Sequence, residues 1–202
     1  MTTTRILLAG VLGAIAMFIW SAIAHMALPL GHAGIHNGFP GEEKVLAALQ
    51  SGLGDKAGLY LFPGSGAGDN PTHEQEKEAF AHYPEKLAAN PSGLFMYHPA
   101  GSRPMTMGKW LTVEFLKQLL VSILAVVLLA QTRISTYGGR VGFFFVLGLV
   151  AGITTNVSYW NWYGFPGAYT VPYMTIEIVG FLFAGFAAAL VFRSQKAEFA
   201  RS

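Results

Sequence analysis

Four long hydrophobic blocks are the feature that most constrains the fold of this chain. Each block holds 19 to 23 residues, and they cover residues 6–28, 111–130, 141–159 and 171–192. A helix rises about 1.5 Å per residue, so each block is long enough to cross a hydrocarbon core of about 30 Å. Only 12% of the residues are charged, whereas soluble domains have about 25%. The sequence therefore predicts an all-α membrane protein with a four-transmembrane-helix bundle.

The first block also shares some features with a cleavable secretory signal. Arg5 precedes the apolar run, and the small residues Ala22 and Ala24 near its end are typical of a cleavage site. The apolar run of a signal is usually shorter, roughly 7 to 15 residues, so we expect an uncleaved anchor. Cleavage would leave three spans and remove His25 from the bundle.

Charge bias gives the expected orientation. With four spans, the N-terminus, the loop 131–140 and the C-terminal tail lie on one side and carry six basic residues against Glu198 alone. The basic residues are Arg5, Arg133, Arg140, Arg193, Lys196 and Arg201. The positive-inside rule then places both termini in the cytoplasm, and the expected location is a bacterial inner membrane. The expected layout is a first span (1–30), an extracytoplasmic α/β segment (31–109), three further spans (110–193) and a cytoplasmic tail (194–202).

The segment between the first and second spans is expected to fold. Helical patterns at residues 41–53 and 71–89 are each followed by a short apolar run, "GLYLFPG" from Gly58 and "GLFMYHPAG" from Gly93. Asn70 is expected to cap the second helix, with Pro71 at its first position. The two runs can pair as strands. Because a two-stranded sheet alone is marginal, we expect it to lie against the bundle or against a partner.

Small residues form stripes on three of the four predicted spans. The stripes are Gly10, Ala14, Met17, Ser21 and His25 on the first, Gly148, Gly152 and Asn156 on the third, and Glu177, Gly180, Ala184 and Ala188 on the fourth. Small residues allow membrane helices to approach closely, so these faces are the expected helix contacts.

The polar residues of the spans are predicted to form one layer near the outer boundary. They are His25, Glu114, Lys117, Gln118, Asn156 and Glu177, and Trp160 in the uncharged aromatic turn 160–171 is expected to roof them. Ionisable groups in a membrane are costly unless they are paired or wetted. Two interpretations stay open: a hydrogen-bonded staple between helices, or a site for a ligand or a proton that opens outward.

A metal or a haem is an alternative occupant of this layer, and the sequence leaves the cofactor unknown. His25, Glu114 and Glu177 would suit Zn, Fe or Mn, and His25 could ligate haem. His32, His36 and His98 are further candidate ligands, although none shows a diagnostic spacing. The chain has no cysteine, which excludes a thiolate site. It shows neither a nucleophile elbow nor a phosphate-binding loop, and no basic, aromatic surface for nucleic acid.

The stretches "MGKWLTVEFLKQLL" and "VSYWNWYGFPGAYT" resemble an uncharacterised family of small bacterial inner-membrane proteins. The resemblance implies four helices and an extracytoplasmic segment between the first two, and it implies no function.

The expected function is that of a non-enzymatic accessory, assembly or sensor subunit. It would contact the lipid bilayer and dock a partner protein, a second copy of itself or lipid at its periplasmic face. The alternatives are a redox or metal-handling protein that uses the His/Glu layer, and a small transporter.

Overall fold

The computed structural model describes residues 2–192, which are mostly helical. Within them, four helices are long and apolar enough to cross a membrane: α1 (Thr3–Met26), α4 (Met107–Ala130), α5 (Tyr137–Tyr163) and α6 (Gly167–Val191). This confirms the four predicted spans, whose number and length are those of a multi-pass membrane protein. The predicted tail, with Arg193, Lys196, Glu198 and Arg201, lies outside the described residues.

The described chain divides into two compact units. The helical unit runs up to His36 and resumes at Thr106, and the inserted unit is Asn37–Met105. The helical unit holds the four long helices and a short 3-10 turn at Pro29–His32. The inserted unit holds α2 (Glu42–Leu53), β1 (Gly58–Phe62), α3 (His73–Ala89) and β2 (Gly93–Tyr97).

The connection between α5 and α6 is much shorter than the predicted turn 160–171. Helix α5 continues to Tyr163, and α6 begins at Gly167. Gly164 ends α5 because it adopts a left-handed conformation with φ of 69°, which glycine takes without a steric penalty. Trp160 and Trp162 are therefore helical residues rather than residues of a loop.

Helix α1 lies at the centre of the helical unit. It packs against α4 on one side and α6 on the other, and α6 also packs against α5. Although α4 and α5 are consecutive, α4 approaches α5 and α6 at few positions. Gly10 of α1 permits the close contact with α4, since a Cβ there would lie 2.6 Å from Ile123 Cγ1.

Small residues also bring α5 and α6 together. A Cβ at Gly148 would lie 2.9 Å from Phe181 Cβ and 3.1 Å from Ile178 Cα. Gly185 of α6 is the reciprocal site, where a Cβ would lie 2.8 Å from Phe144 Cβ. Phe144 is fully buried, so the contact is tight on both helices. The predicted small-residue stripe on α5 is thus confirmed as its contact face with α6. The predicted stripe on α6 faces α1 instead, since a Cβ at Gly180 would lie 3.5 Å from Trp20 Cδ1 and a Cβ at Gly13 of α1 would lie 3.5 Å from Ala184 Cβ.

Large apolar side chains cover the outer faces of the same helices. The exposed side chains on α1 alone include Leu7, Leu8, Val11, Leu12, Ile15, Ile19 and Ile23. In a soluble protein such a surface would promote aggregation, whereas in a bilayer it contacts lipid tails.

Arg140 joins two chain segments at the opposite end of α5 from Gly164. Its side chain is buried, Nε donates to the Ile134 carbonyl at 3.3 Å, and an Nη donates to the Phe192 carbonyl. The guanidinium also lies 5.1 Å from the centre of the Phe192 ring. Arg140, counted from the sequence only as an orienting charge, therefore satisfies a carbonyl at the C-terminal end of α6.

The inserted unit has the predicted helix-strand-helix-strand order. Strands β1 and β2 pair antiparallel, with Gly58 opposite Tyr97 and Phe62 opposite Gly93, which confirms the predicted two-stranded sheet. The predicted cap of α3 is wrong, because the helix begins at His73 with Thr72 as its cap. Thr72 Oγ accepts from the Gln75 amide and Gln75 Oε1 accepts from the Thr72 amide, a reciprocal capping box that Asn70 cannot form.

Substituting Gly148 tests the α5–α6 contact. We expect Gly148→Ala to lower the free energy of unfolding by about 1–3 kcal/mol, because the methyl group would overlap the α6 backbone at Ile178. Gly142→Ala on the same helix is the matched control. A Cβ at Gly142 would meet nothing within 4 Å. We therefore expect this substitution only to raise stability, by up to about 1 kcal/mol, because alanine has the higher helix propensity. Thermal unfolding in lipid nanodiscs measures both, and equal effects would contradict the assigned contact.

Arg140→Lys tests the hydrogen bonds from Arg140 to the Ile134 and Phe192 carbonyls. A lysine has no planar fork with which to hold two carbonyls at once, so we expect a loss of about 1–3 kcal/mol. Arg133→Lys is the control, since Arg133 is exposed and its replacement should change stability by less than about 0.5 kcal/mol. The same unfolding assay applies, and two equally small effects would show that Arg140 carries no such role.

Candidate functional site

Three polar residues on α4 form a hydrogen-bonded group at membrane depth. Lys117 Nζ donates to Glu114 Oε1 at 2.7 Å, and Gln118 Nε2 donates to the same oxygen at 2.9 Å. The Lys117 and Glu114 side chains are 59% and 39% exposed, whereas Gln118 is buried. The group therefore runs from the outer surface of α4 into the protein.

Asn156 on α5 and Glu177 on α6 form a second polar pair. Asn156 is buried, and its Nδ2 donates to the Gly152 carbonyl at 3.0 Å and to Glu177 Oε2 at 3.4 Å. The second bond is long and therefore weak. Lys117 is close enough for its charge to act on the Glu177 carboxylate. We call these five residues, Glu114, Lys117, Gln118, Asn156 and Glu177, the polar cluster.

Two buried polar atoms in and beside the polar cluster have no hydrogen-bond partner among the described residues. Gln118 Oε1 is buried and has no hydrogen-bond partner in the described structure, and the same holds for Ser122 Oγ one turn further along α4. Ser122 faces α1 at Gly13, where a Cβ would overlap its hydroxyl. Buried polar atoms without partners are rare in native proteins. Sequence reasoning missed Ser122, although its spacing of four from Gln118 was a visible signal.

His25 lies apart from the polar cluster. Its Nδ1 is 2.8 Å from the Ser21 carbonyl oxygen, and its ring meets the edge of the Tyr173 ring with centres 6.2 Å apart. The 3-10 turn packs over the ring at Gly31, where a Cβ would overlap the imidazole. The structure thus groups His25 with aromatic side chains rather than with the carboxylates.

A row of aromatic rings runs from the end of α5 to His25. Its successive ring centres are 5.8 Å apart for Tyr163 and Tyr159, 5.4 Å for Tyr159 and Phe165, 5.4 Å for Phe165 and Tyr169, and 4.2 Å for Tyr169 and Tyr173. Trp160, the predicted roof, takes no part in the row and is 53% exposed, and Trp162 is 79% exposed. Such exposed tryptophans at a helix end suit a membrane interface.

The predicted metal ligands are distributed over both units. His32 ends the 3-10 turn, His36 follows it, and His98 lies in the inserted unit 3.4 Å from an Arg103 nitrogen. In residues 2–192, no three His, Asp or Glu side chains lie close enough together to hold a metal ion. The structure therefore does not assemble His25, Glu114 and Glu177 into a ligand set.

The inserted unit has an unusual surface, because none of its residues is buried. One face of its sheet is aliphatic, with Leu59 opposite Met96 and Leu61 opposite Leu94. Leu59, Leu61 and Met96 are 59%, 54% and 72% exposed. The other face carries stacked rings, with Tyr60 and Phe95 centred 5.4 Å apart. The aliphatic face is a second candidate site, and it would bind another surface rather than a small molecule.

Comparisons with protein-family models, curated proteins and solved structures give no match. The resemblance to small bacterial inner-membrane proteins therefore stays a prediction.

A double-mutant cycle tests whether the polar cluster is one coupled network. Lys117→Met and Glu177→Gln should each change stability, and their effects should depart from additivity by about 0.5–3 kcal/mol because the two charges interact. Lys117→Met with Thr175→Ala is the matched control pair. Thr175 is exposed on α6, the helix of Glu177, and its one side-chain hydrogen bond within residues 2–192 goes to the Val171 carbonyl. Chemical unfolding in nanodiscs gives the coupling, and an additive Lys117/Glu177 pair would show two independent charges.

Proposed function

We propose that this protein is a non-enzymatic membrane subunit that docks a partner protein through the aliphatic sheet face of its inserted unit. One observation carries this proposal: Asn37–Met105 contains no buried residue. A unit of this size that folds without a core needs another surface to cover it, because its apolar burial does not offset the entropy of ordering the chain.

The exposed side chains offer enough apolar area for such docking. Burying one Leu or Met side chain contributes about 1.5–3 kcal/mol, and three of them lie side by side on the paired strands. Neither strand contains a charged residue or a proline. Natural edge strands usually carry such residues to prevent pairing with other chains, so β1 and β2 are suited to association.

The charge bias supports a proposed orientation in a bacterial inner membrane. Arg5 and Arg133 lie at the ends of α1 and α4 that the four-span topology places on the same side. The positive-inside rule assigns that side to the cytoplasm. Arg140 adds less to this argument than expected, because its charge is engaged with carbonyl groups. Both termini would then be cytoplasmic and the inserted unit periplasmic.

The alternative functions from the sequence, redox or metal handling and transport, stay predictions. A stoichiometric metal or a visible absorption band in the purified protein would favour the first alternative. No specific contact in residues 2–192 favours metal handling or transport over docking.

Site-specific photo-crosslinking in native membranes tests the docking surface. A photoreactive amino acid at Met96 should give one discrete protein adduct, because this side chain is the most exposed on the aliphatic face. The same probe at Glu85, which is exposed on α3, should give little adduct.

A second variant separates docking from chance capture. Leu61→Asp places a charge on the aliphatic face and should abolish the Met96 adduct, while the chain still inserts in the membrane. An adduct that survives Leu61→Asp, or adducts to lipid alone, would contradict docking of a protein at this face.

A further inference from the structure

With both of its carboxylates ionised, the polar cluster carries an uncompensated negative charge. It contains two carboxylates, Glu114 and Glu177, and one ammonium group, Lys117, so its formal charge is −1. Lys117 is bonded to Glu114 at 2.7 Å, whereas Asn156, at 3.4 Å, is the one described residue that donates directly to Glu177. Glu177 is therefore the carboxylate with the larger unmet need for a donor. A net charge at membrane depth is unfavourable unless something neutralises it.

Gln118 gives a second, independent indication of a missing donor. Its Nε2 is occupied by Glu114, while its Oε1 is buried without a partner. An amide oxygen can only accept hydrogen bonds. Whatever completes this site must therefore present N–H or O–H groups.

The polar cluster can be reached from the side of the bundle. Helix α4 contacts α1 extensively but approaches α5 and α6 at few positions, and Lys117 and Glu114 are 59% and 39% exposed. The surrounding α4 surface is apolar, with Val113, Leu116 and Leu120 more than half exposed. A molecule that enters through this surface must pass apolar side chains and then meet charged ones.

We propose that the polar cluster binds an organic ammonium group carried on an apolar tail. The ammonium supplies the positive charge that balances Glu177 and the N–H donors that Glu177 and Gln118 Oε1 lack. The tail lies along the exposed aliphatic surface of α4.

Two other ligand classes fit the cluster less well. A bound anion would add to a formal charge that is already negative, and Lys117 is engaged with Glu114. A metal ion would need a set of at least three His, Asp or Glu ligands, which residues 2–192 do not assemble. An ammonium group needs only one counter-ion and acceptor atoms, and both are present.

Three amphiphiles with the same tail but different head groups separate the contribution of the head group to binding from that of the tail. Full-length protein in phosphatidylcholine nanodiscs is titrated with dodecylammonium, dodecyl sulfate or dodecanol, and the thermal midpoint is recorded. Only dodecylammonium should raise the midpoint in a saturable way, because a ligand that binds the folded state stabilises it in proportion to its occupancy. An equal shift with dodecanol would overturn the proposal, since the tail alone would then account for binding. A shift with dodecyl sulfate alone would also overturn it and assign an anion site to Lys117.

Variants test the assigned residues in the same titration. Glu177→Gln should weaken dodecylammonium binding at least tenfold, whereas Glu43→Gln in the inserted unit should leave the affinity unchanged. Lys117→Met removes the competing cation and should tighten binding, which keeps the proposal testable if Glu177→Gln does not fold. Unchanged affinity in Glu177→Gln, or weaker binding in Lys117→Met, would overturn it. No saturable shift with any of the three amphiphiles would also overturn the proposal, because Glu177 would then be protonated and need no ligand.

Discussion

Close helix contacts at glycine residues hold the helical unit together, and the placement of its polar side chains depends on those contacts. Lipid tails are as apolar as leucine, so two membrane helices gain little from hydrophobic association and must pack closely instead. Gly10 lets α1 approach Ile123 of α4, and Gly148 lets α5 approach the α6 backbone at Ile178. A methyl group at either glycine would separate the helices by tenths of an ångström and weaken the dispersion contacts around it.

The central position of α1 also explains why the polar cluster is reachable. Because α1 lies between α4 and α6, it holds α4 away from α5 and α6 over most of their length. The Lys117 and Glu114 side chains of α4 are then left 59% and 39% exposed, close to Glu177 of α6. A four-helix arrangement with α4 packed on α5 would have enclosed Glu114 and Lys117. Their partial exposure therefore follows from the order of packing.

The spans and the two strands were predictable because short sequence patterns specify them. The neighbour that each helix face contacts, and hydrogen bonds between residues far apart in the sequence, were not predictable. The length of each hydrophobic run and the glycines that bound the strands act over a few residues. Depth counted along the helices placed His25 level with Glu177, but it says nothing about which side of a helix faces which neighbour. Arg140 bonds to the carbonyl of Phe192, 52 residues away, and no local pattern encodes that. Thr72 was readable from the sequence, since Gln75 follows it at capping-box spacing.

The helical unit and the inserted unit each lack a different stabilising interaction, and this difference separates their proposed roles. The helical unit has a packed core around Phe144 and Val126, so it does not need a ligand to fold. Its polar cluster lacks a positive charge with hydrogen-bond donors. The inserted unit has a capping box on α3 and a regular sheet but no buried residue, so what it lacks is apolar cover. A small cation cannot supply apolar cover, and a docking surface matched to Leu59, Leu61 and Met96 cannot neutralise a carboxylate in a membrane span. Each requirement therefore points to its own binding partner.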